Sequence, residues 1–152
     1  MRSFHCRNAV RALLLIGALV ACSNDPMSPF WASLTLDKAW ARWNSAGLRN
    51  YRFRSSVSCE CLPEYVVPMR VTVRQGQVTE VVNAATGVSR PLTYRQPMDS
   101  IFALVRQEIR ERPERLQVTY DPGLGFPRTL TYGTPENDGG GHITIDSVQA
   151  IP

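Results

Sequence analysis

A chain of 152 residues that is 43% hydrophobic and 20% charged has the make-up of a single globular domain, which excludes wholesale disorder. Its formal charge of +4 invites a nucleic-acid reading. Three of the 17 basic residues, Arg2, Arg7 and Arg11, crowd the N-terminus, and the rest leave 14 basic against 13 acidic residues with no basic block. Composition therefore gives a phosphate-tracking surface no support, and nucleic acid is not expected as a partner.

Residues 1–11 carry those three arginines and no acid, and residues 12–20 (ALLLIGALV) are an uncharged apolar run of nine. A membrane-spanning helix needs about 20 apolar residues, so this run has instead the length of a signal-peptide core. It ends in Leu19-Val20-Ala21-Cys22, which resembles the bacterial lipobox. An aliphatic residue and two small or β-branched ones let a peptidase approach the backbone, and the cysteine thiol is the atom that takes a diacylglyceryl group. The expectation is a leader over 1–21, lipidation of Cys22, and a membrane partner held through the lipid anchor. Two or three acyl chains hold far more firmly than one, at about 0.8 kcal/mol per buried CH₂. Ser23 stands where an Asp would be the usual inner-membrane retention signal. In a Gram-negative host that points to the outer membrane, facing the periplasm. Residues 22–33, with Pro26 and Pro29, read as the lipidated N-terminus and a flexible tether, and 34–152 as one domain. Phe30 and Trp31 have two readings, lying on lipid headgroups or packing under the first helix.

Leu36, Trp40 and Trp43 recur at helical spacing and Gly47 supplies a stop, so the first helix is expected over 34–46. Period-two alternation follows. Tyr51, Phe53, Val57 and Cys59 oppose Arg52, Arg54, Ser56 and Ser58, and Val67, Met69, Val71 and Val73 oppose Pro68, Arg70, Thr72 and Arg74. These are half-buried antiparallel strands. A turn at Gln75-Gly76 leads to a third strand over 77–83, and 84–96 reads as loop. A second helix is predicted over 98–111, with Ile101, Leu104, Val105 and Ile109 as its buried stripe and Pro113 as its end. Three more strands are expected around Leu116–Tyr120, over 128–132 and over 142–148, separated by the turn DPGLGFP and a loop through Gly139-Gly140-Gly141. Runs of strands after each helix favour an α+β fold: an antiparallel sheet of about six strands with two helices on one face, in the order α-βββ-α-βββ. The like order of the two halves hints at a duplication, although no shared residues support one.

A tryptophan-bearing helix thus leads into Tyr51-Arg52-Phe53, Cys59-Glu60-Cys61 and a Val-rich strand ending at Gly76. Later the Ile101-Phe102 helix and Tyr120-Asp121 precede Gly125-Phe126-Pro127. As a set these resemble the bacterial domain-of-unknown-function 6174 family of small, often lipid-anchored envelope proteins, over roughly 34–148. The family carries no assigned activity, so the resemblance implies a location and a fold but no catalytic residue. The second helix departs from the family pattern by opening Met98-Asp99-Ser100 in place of a Thr-rich start.

Cys59 and Cys61 are the two thiols left once Cys6 leaves with the leader and Cys22 is lipidated. In an oxidising compartment they are open to several readings: a structural disulfide, two free buried thiols, a redox-active pair, or a metal site. A disulfide needs a kink, because residues two apart in a straight strand are about 6.6 Å apart, at the edge of the accepted range. A zinc site lacks ligands, since His142 is the one histidine outside the leader. Any Ser-His-acid mechanism would need that same residue, with Asp146 on its strand face, against the plainer reading of a solvent-facing strand position. Glu136-Asn137-Asp138-Gly139 has calcium-type oxygens without the alternation of a calcium loop. Arg52, Arg54, Arg70 and Arg74 are expected on the outward sheet face, paired with Glu60, Glu64 or Glu80 across strands. No motif calls for a cofactor. The function read from these residues is that of a non-enzymatic envelope lipoprotein whose sheet binds a partner. The alternative is a thiol-redox or redox-sensing role for Cys59 and Cys61.

Overall fold

Alternating sequence produces alternating burial. β1 (Tyr51–Ser58), β2 (Met69–Arg74) and β3 (Gln77–Asn83) form one antiparallel meander. β4 (Arg115–Tyr120), β5 (Pro127–Gly133) and β6 (Gly141–Ala150) form a second. In the computed structural model, which describes residues 29–111, 113–133 and 140–152, β1 pairs antiparallel with β6. That pairing joins the meanders into one six-stranded sheet of order β3-β2-β1-β6-β5-β4. Both halves therefore run the same way across the sheet, a tandem rather than a mirrored arrangement. The expected leader, Cys22 and the Glu136–Gly139 segment lie outside the described residues.

The register decides which side chains share a face. Tyr51 lies opposite Val73, Phe53 opposite Val71 and Ser55 opposite Met69, and all six are buried. Over them lie α1 (Pro29–Ala46), through Ala32, Leu36, Ala39 and Trp43, and α3 (Met98–Glu111), through Met98, Ile101, Phe102 and Val105. Leu130 of β5 and Ile145 of β6 complete the same core, so both long helices cover one face of the sheet. Trp40 meets Phe102 edge-on at 4.9 Å, and the Arg106 guanidinium lies 5.9 Å from the Trp40 ring. Such aromatic contacts add about 0.5–1.5 kcal/mol beyond the area they bury.

Three details differ from the sequence reading. α1 begins at Pro29 rather than Leu34, so residues 29–33, counted with the tether, are helical, and Phe30 and Trp31 belong to its first turn. Proline fits there because its missing N–H is one the first turn leaves unused. A four-residue helix, α2 (Pro63–Val66), interrupts the first run of strands, again with Pro at its start. The order is therefore α-β-α-ββ-α-βββ. The expected loop over 84–96 holds a 3-10 turn at Leu92–Tyr94 and a bridge from Val82 to Ser89. Gln75 and Gly76 both have positive φ (51° and 79°), the tight hairpin turn their sequence announces.

The DPGLGFP turn is pinned beneath α1. Asp121 Oδ1 accepts from the backbone N–H groups of Gly123 and Leu124, and Phe126 is buried. Gly125 has φ +83°, and a Cβ there would strike the Ala39 carbonyl oxygen of α1. Gly125→Ala should therefore cost more than the roughly 1–2 kcal/mol of a left-handed backbone alone. Urea unfolding should show the midpoint falling further than for Gly87→Ala, where φ is also positive but nothing lies within 4 Å of a Cβ.

Glu108 is buried in α3, and that burial, followed by nearby Glu111, holds its carboxyl above the ordinary value. A folded-state pKa raised above the unfolded one favours the folded chain at low pH and loses that advantage as pH rises through the raised value. Glu108→Gln should consequently raise the thermal midpoint more at pH 7 than at pH 4. An equal gain at both would show that the carboxyl is not penalised.

Candidate binding face

β1 stops at Ser58, and the chain then bends sharply. Cys59 and Cys61 are joined by a disulfide across that bend, with their Cα atoms 5.2 Å apart. That is well short of the roughly 6.6 Å of a straight strand, so the kink at Glu60 is present. Cys59 is half-buried and Cys61 exposed, as is Leu62 at 61%. A ring this small constrains the unfolded chain by only about 1.6 kcal/mol on the chain-entropy account. The bond is a local brace that ends the strand, and it occupies both thiolates a metal would need.

Beyond the bend, Tyr65 of α2 stacks on Tyr94 of the 3-10 turn at 4.0 Å. Arg95, only 6% exposed, fastens the two together. Its Nη1 donates to the Tyr94 carbonyl at 2.7 Å, and its Nη2 to those of Tyr65 and Val67 at 2.9 and 3.1 Å. Burial lowers its pKa, and no carboxylate among the described residues pairs with it. The three carbonyls carry the guanidinium, which makes Arg95 a structural pin. A shallow groove of about 200 Å³ runs beside it over Phe53, Val57 and Ile143. Sequence reasoning passed over Arg95 because it sits in a segment without periodicity.

The other face of the sheet is covered by no described element. Register places its side chains in rows across the strands. One row runs Val82, Arg70, Arg54, Asp146 from β3 to β6, and the next Glu80, Thr72, Arg52, Gln149. Towards the other end, Ser56, Thr144, Thr129 and Thr119 form a hydroxyl row from β1 to β4, followed by Ser58, His142, Thr131 and Gln117. The Thr119 and Thr129 hydroxyls are hydrogen-bonded at 2.6 Å.

The expected pairing of the outward arginines with glutamates is not present. Glu80 accepts from the Thr72 hydroxyl at 2.8 Å, and Asp146 from the Ser147 hydroxyl at 2.8 Å. Arg74 donates to the Pro152 carbonyl oxygen at 2.6 Å. Arg52, Arg54 and Arg70 are exposed and have no hydrogen-bond or ion-pair partner among the described residues. Arg54 and Arg70 even stand directly opposite each other. Short carboxylates beside hydroxyls close their nearer bonds first, and the long arginine side chains keep their entropy in solvent.

His142 lies on this face, half-buried, with both ring nitrogens engaged. The Thr131 hydroxyl is 2.8 Å from Nδ1 and the Thr144 hydroxyl 3.1 Å from Nε2. No acid among the described residues orients the ring, so the Asp146 partnership a hydrolase would need is not assembled. Among the described residues no three His, Cys, Asp or Glu side chains gather as metal ligands.

A family model described as a family of unknown function, DUF6174, matches residues 35–148. The chain belongs to that family. No curated protein and no solved structure matches it. The DUF6174 span runs from α1 into β6, so it takes in the disulfide bend, the Arg95 pin and the rows of the open face except Gln149. Within it, Gly125 and Phe126 are accounted for by packing under α1.

Proposed function

We propose that this DUF6174 chain is a non-enzymatic bacterial lipoprotein, anchored through Cys22 in the cell envelope, which binds a partner on the open face of its sheet. The observation that carries the reading is the pairing of a packed helix face with an uncovered face on which Arg52, Arg54 and Arg70 have no partner among the described residues. An antiparallel sheet needs only one buried face to be stable, so the second is free for contact. The polar rows suit recognition through hydrogen bonds, and among the described residues no nucleophile-base-acid set accompanies them. Among the described residues no helix is long and apolar enough to cross a membrane.

Two measurements in intact cells test this together. An alkyne fatty acid should label the wild-type chain and not Cys22→Ser, and the variant should leave the membrane fraction. A photo-crosslinking residue at Gln117 on the open face should yield a reproducible adduct, while one at exposed Asp37 on α1 should not. Absence of label sinks the anchor, and equal or absent adducts sink the binding face.

Exposure of Cys61 favours a second reading, thiol-disulfide exchange at the Cys59–Cys61 bond. Thiol titration against a graded series of dithiothreitol would then find the bond opening under mild reductant. A bond that resists until the domain unfolds removes this reading.

A further inference from the structure

We propose that the open face binds an anionic polysaccharide, a carboxylate-bearing sugar chain laid across the strands. The inference rests on the reading of that face as the binding surface and adds the chemistry of what binds.

Three observations lead to it. First, Arg52, Arg54 and Arg70 form a compact cationic group. Arg54 and Arg70 are cross-strand neighbours, about 5 Å apart at the backbone, and Arg52 lies one step of about 6.8 Å along the same face. Like charges directly opposite destabilise a sheet, and the acids nearby are bonded by Thr72 and Ser147 instead. Asp146 stands level with Arg54 and Glu80 in the row of Arg52, but the three guanidinium groups outnumber these carboxylates and none is held in an ion pair among the described residues, which leaves them open to an external anion.

Second, the cationic group adjoins a surface of neutral hydrogen-bonding groups. The Thr144, Thr129 and Thr119 hydroxyls stand in one row on neighbouring strands. A simple anion such as phosphate would use the arginines and make no use of those hydroxyls, which in the free protein bond one another and His142. A chain carrying both carboxylates and alcohols matches both halves of the face at once. Hydroxyl groups donate and accept alike, so a row of them suits sugar alcohols.

Third, the face lacks what the other candidate partners need. The Tyr and Phe rings of the described strands lie on the helix side or at the strand ends, and the His142 ring on the open face is tied at both nitrogens by Thr131 and Thr144, so no row of rings is present for stacking single-stranded nucleic acid or a neutral sugar. Val82, the apolar residue of the arginine row, is only 5% exposed, so the face has neither the apolar centre of a protein interface nor a wedge for lipid. A polar hollow of about 380 Å³, lined by Asn50, Arg74, Gln75, Gln77 and Thr79, prolongs the cationic end and gives a chain room to continue.

The test uses the full chain extracted from membranes in detergent and applied to immobilised polygalacturonate, neutral dextran and inorganic polyphosphate. Retention on polygalacturonate and not on dextran is expected. Arg54→Gln with Arg70→Gln should weaken it about tenfold or more, and added salt should weaken the wild type in the same way. Thr119→Val with Thr129→Val should weaken polygalacturonate binding about fivefold through lost hydrogen bonds while leaving polyphosphate binding unchanged. Both replacements lie on the solvated face, and an unchanged thermal midpoint confirms that the fold survives.

Loss of the hydroxyl effect, with polyphosphate held as well as polygalacturonate, would mean simple cation exchange and overturn the proposal. So would equal retention on dextran. A wild-type advantage over the arginine variant on anionic vesicles but not on polygalacturonate would make the face lipid-directed, and would overturn it too. If Gln117 crosslinks to a protein in cells while no polymer is retained, the binding face stands and the polysaccharide falls.

Discussion

The molecule turns on the Tyr51 side chain. It leaves β1 on the core side, is 2% exposed, and meets Trp43 of α1 edge-on at 5.2 Å. Its hydroxyl accepts a hydrogen bond from the Met98 N–H, one of the donors that the first turn of α3 cannot satisfy within the helix. Trp43 closes the same junction by donating Nε1–H to Asp99 at 3.1 Å. One strand residue therefore holds the end of one helix and the start of the other. Burial pushes the Tyr51 phenol up to about 12, so the hydroxyl is neutral at any ordinary pH.

Because this junction and the Gly125 contact hold α1 and α3 on the same side, the sheet acquires one dry face and one wet one. The dry face contains Phe53, Met69, Val71, Phe102 and Val105, each with about 1% exposure or less. Truncating one such aromatic side chain costs about 3–5 kcal/mol, whereas a cross-strand pair on the wet face is worth about 0.2–1. Stability is thus settled on one side, and side chains on the other can be chosen for contact without threatening the fold. The hydroxyl and arginine rows are a consequence of that separation.

How far the sequence disclosed this depends on distance along the chain. α3 is legible at both ends because Ile101, Val105 and Ile109 keep helical period between Pro97 and Pro113. β1 and β2 are legible because polar residues alternate with Tyr51 and Phe53 in one and with Met69, Val71 and Val73 in the other. α2 was missed because four residues cannot show a period, and Pro63 signals a strand ending as readily as a helix beginning. The kink that closes the Cys59–Cys61 ring was foreseeable from backbone geometry, since its two residues are local. The surroundings of His142 were not, because Thr131 becomes its neighbour only through the β5–β6 register. The same holds for the arginines: their outward direction is a period-two fact, but their lack of partners depends on which strands adjoin β1.

That last dependence bears on what the wet face is for. The chain has nearly equal numbers of acids and bases outside its first residues, enough to neutralise every arginine if pairing were the purpose. Folding instead sets Arg54 against Arg70, while Glu80 and Asp146 accept bonds from hydroxyls on their own side. A threonine at position 54 would relieve the opposition and continue the hydroxyl rows, at a change of a few tenths of a kcal/mol, the scale on which surface substitutions act. Arg54 thus stands between Arg70 on β2 and Asp146 on β6, and no bond among the described residues holds its guanidinium. Its positive potential is available to an external anion without any prior ion pair having to break, and this makes the wet face a surface prepared for charge rather than merely tolerant of it.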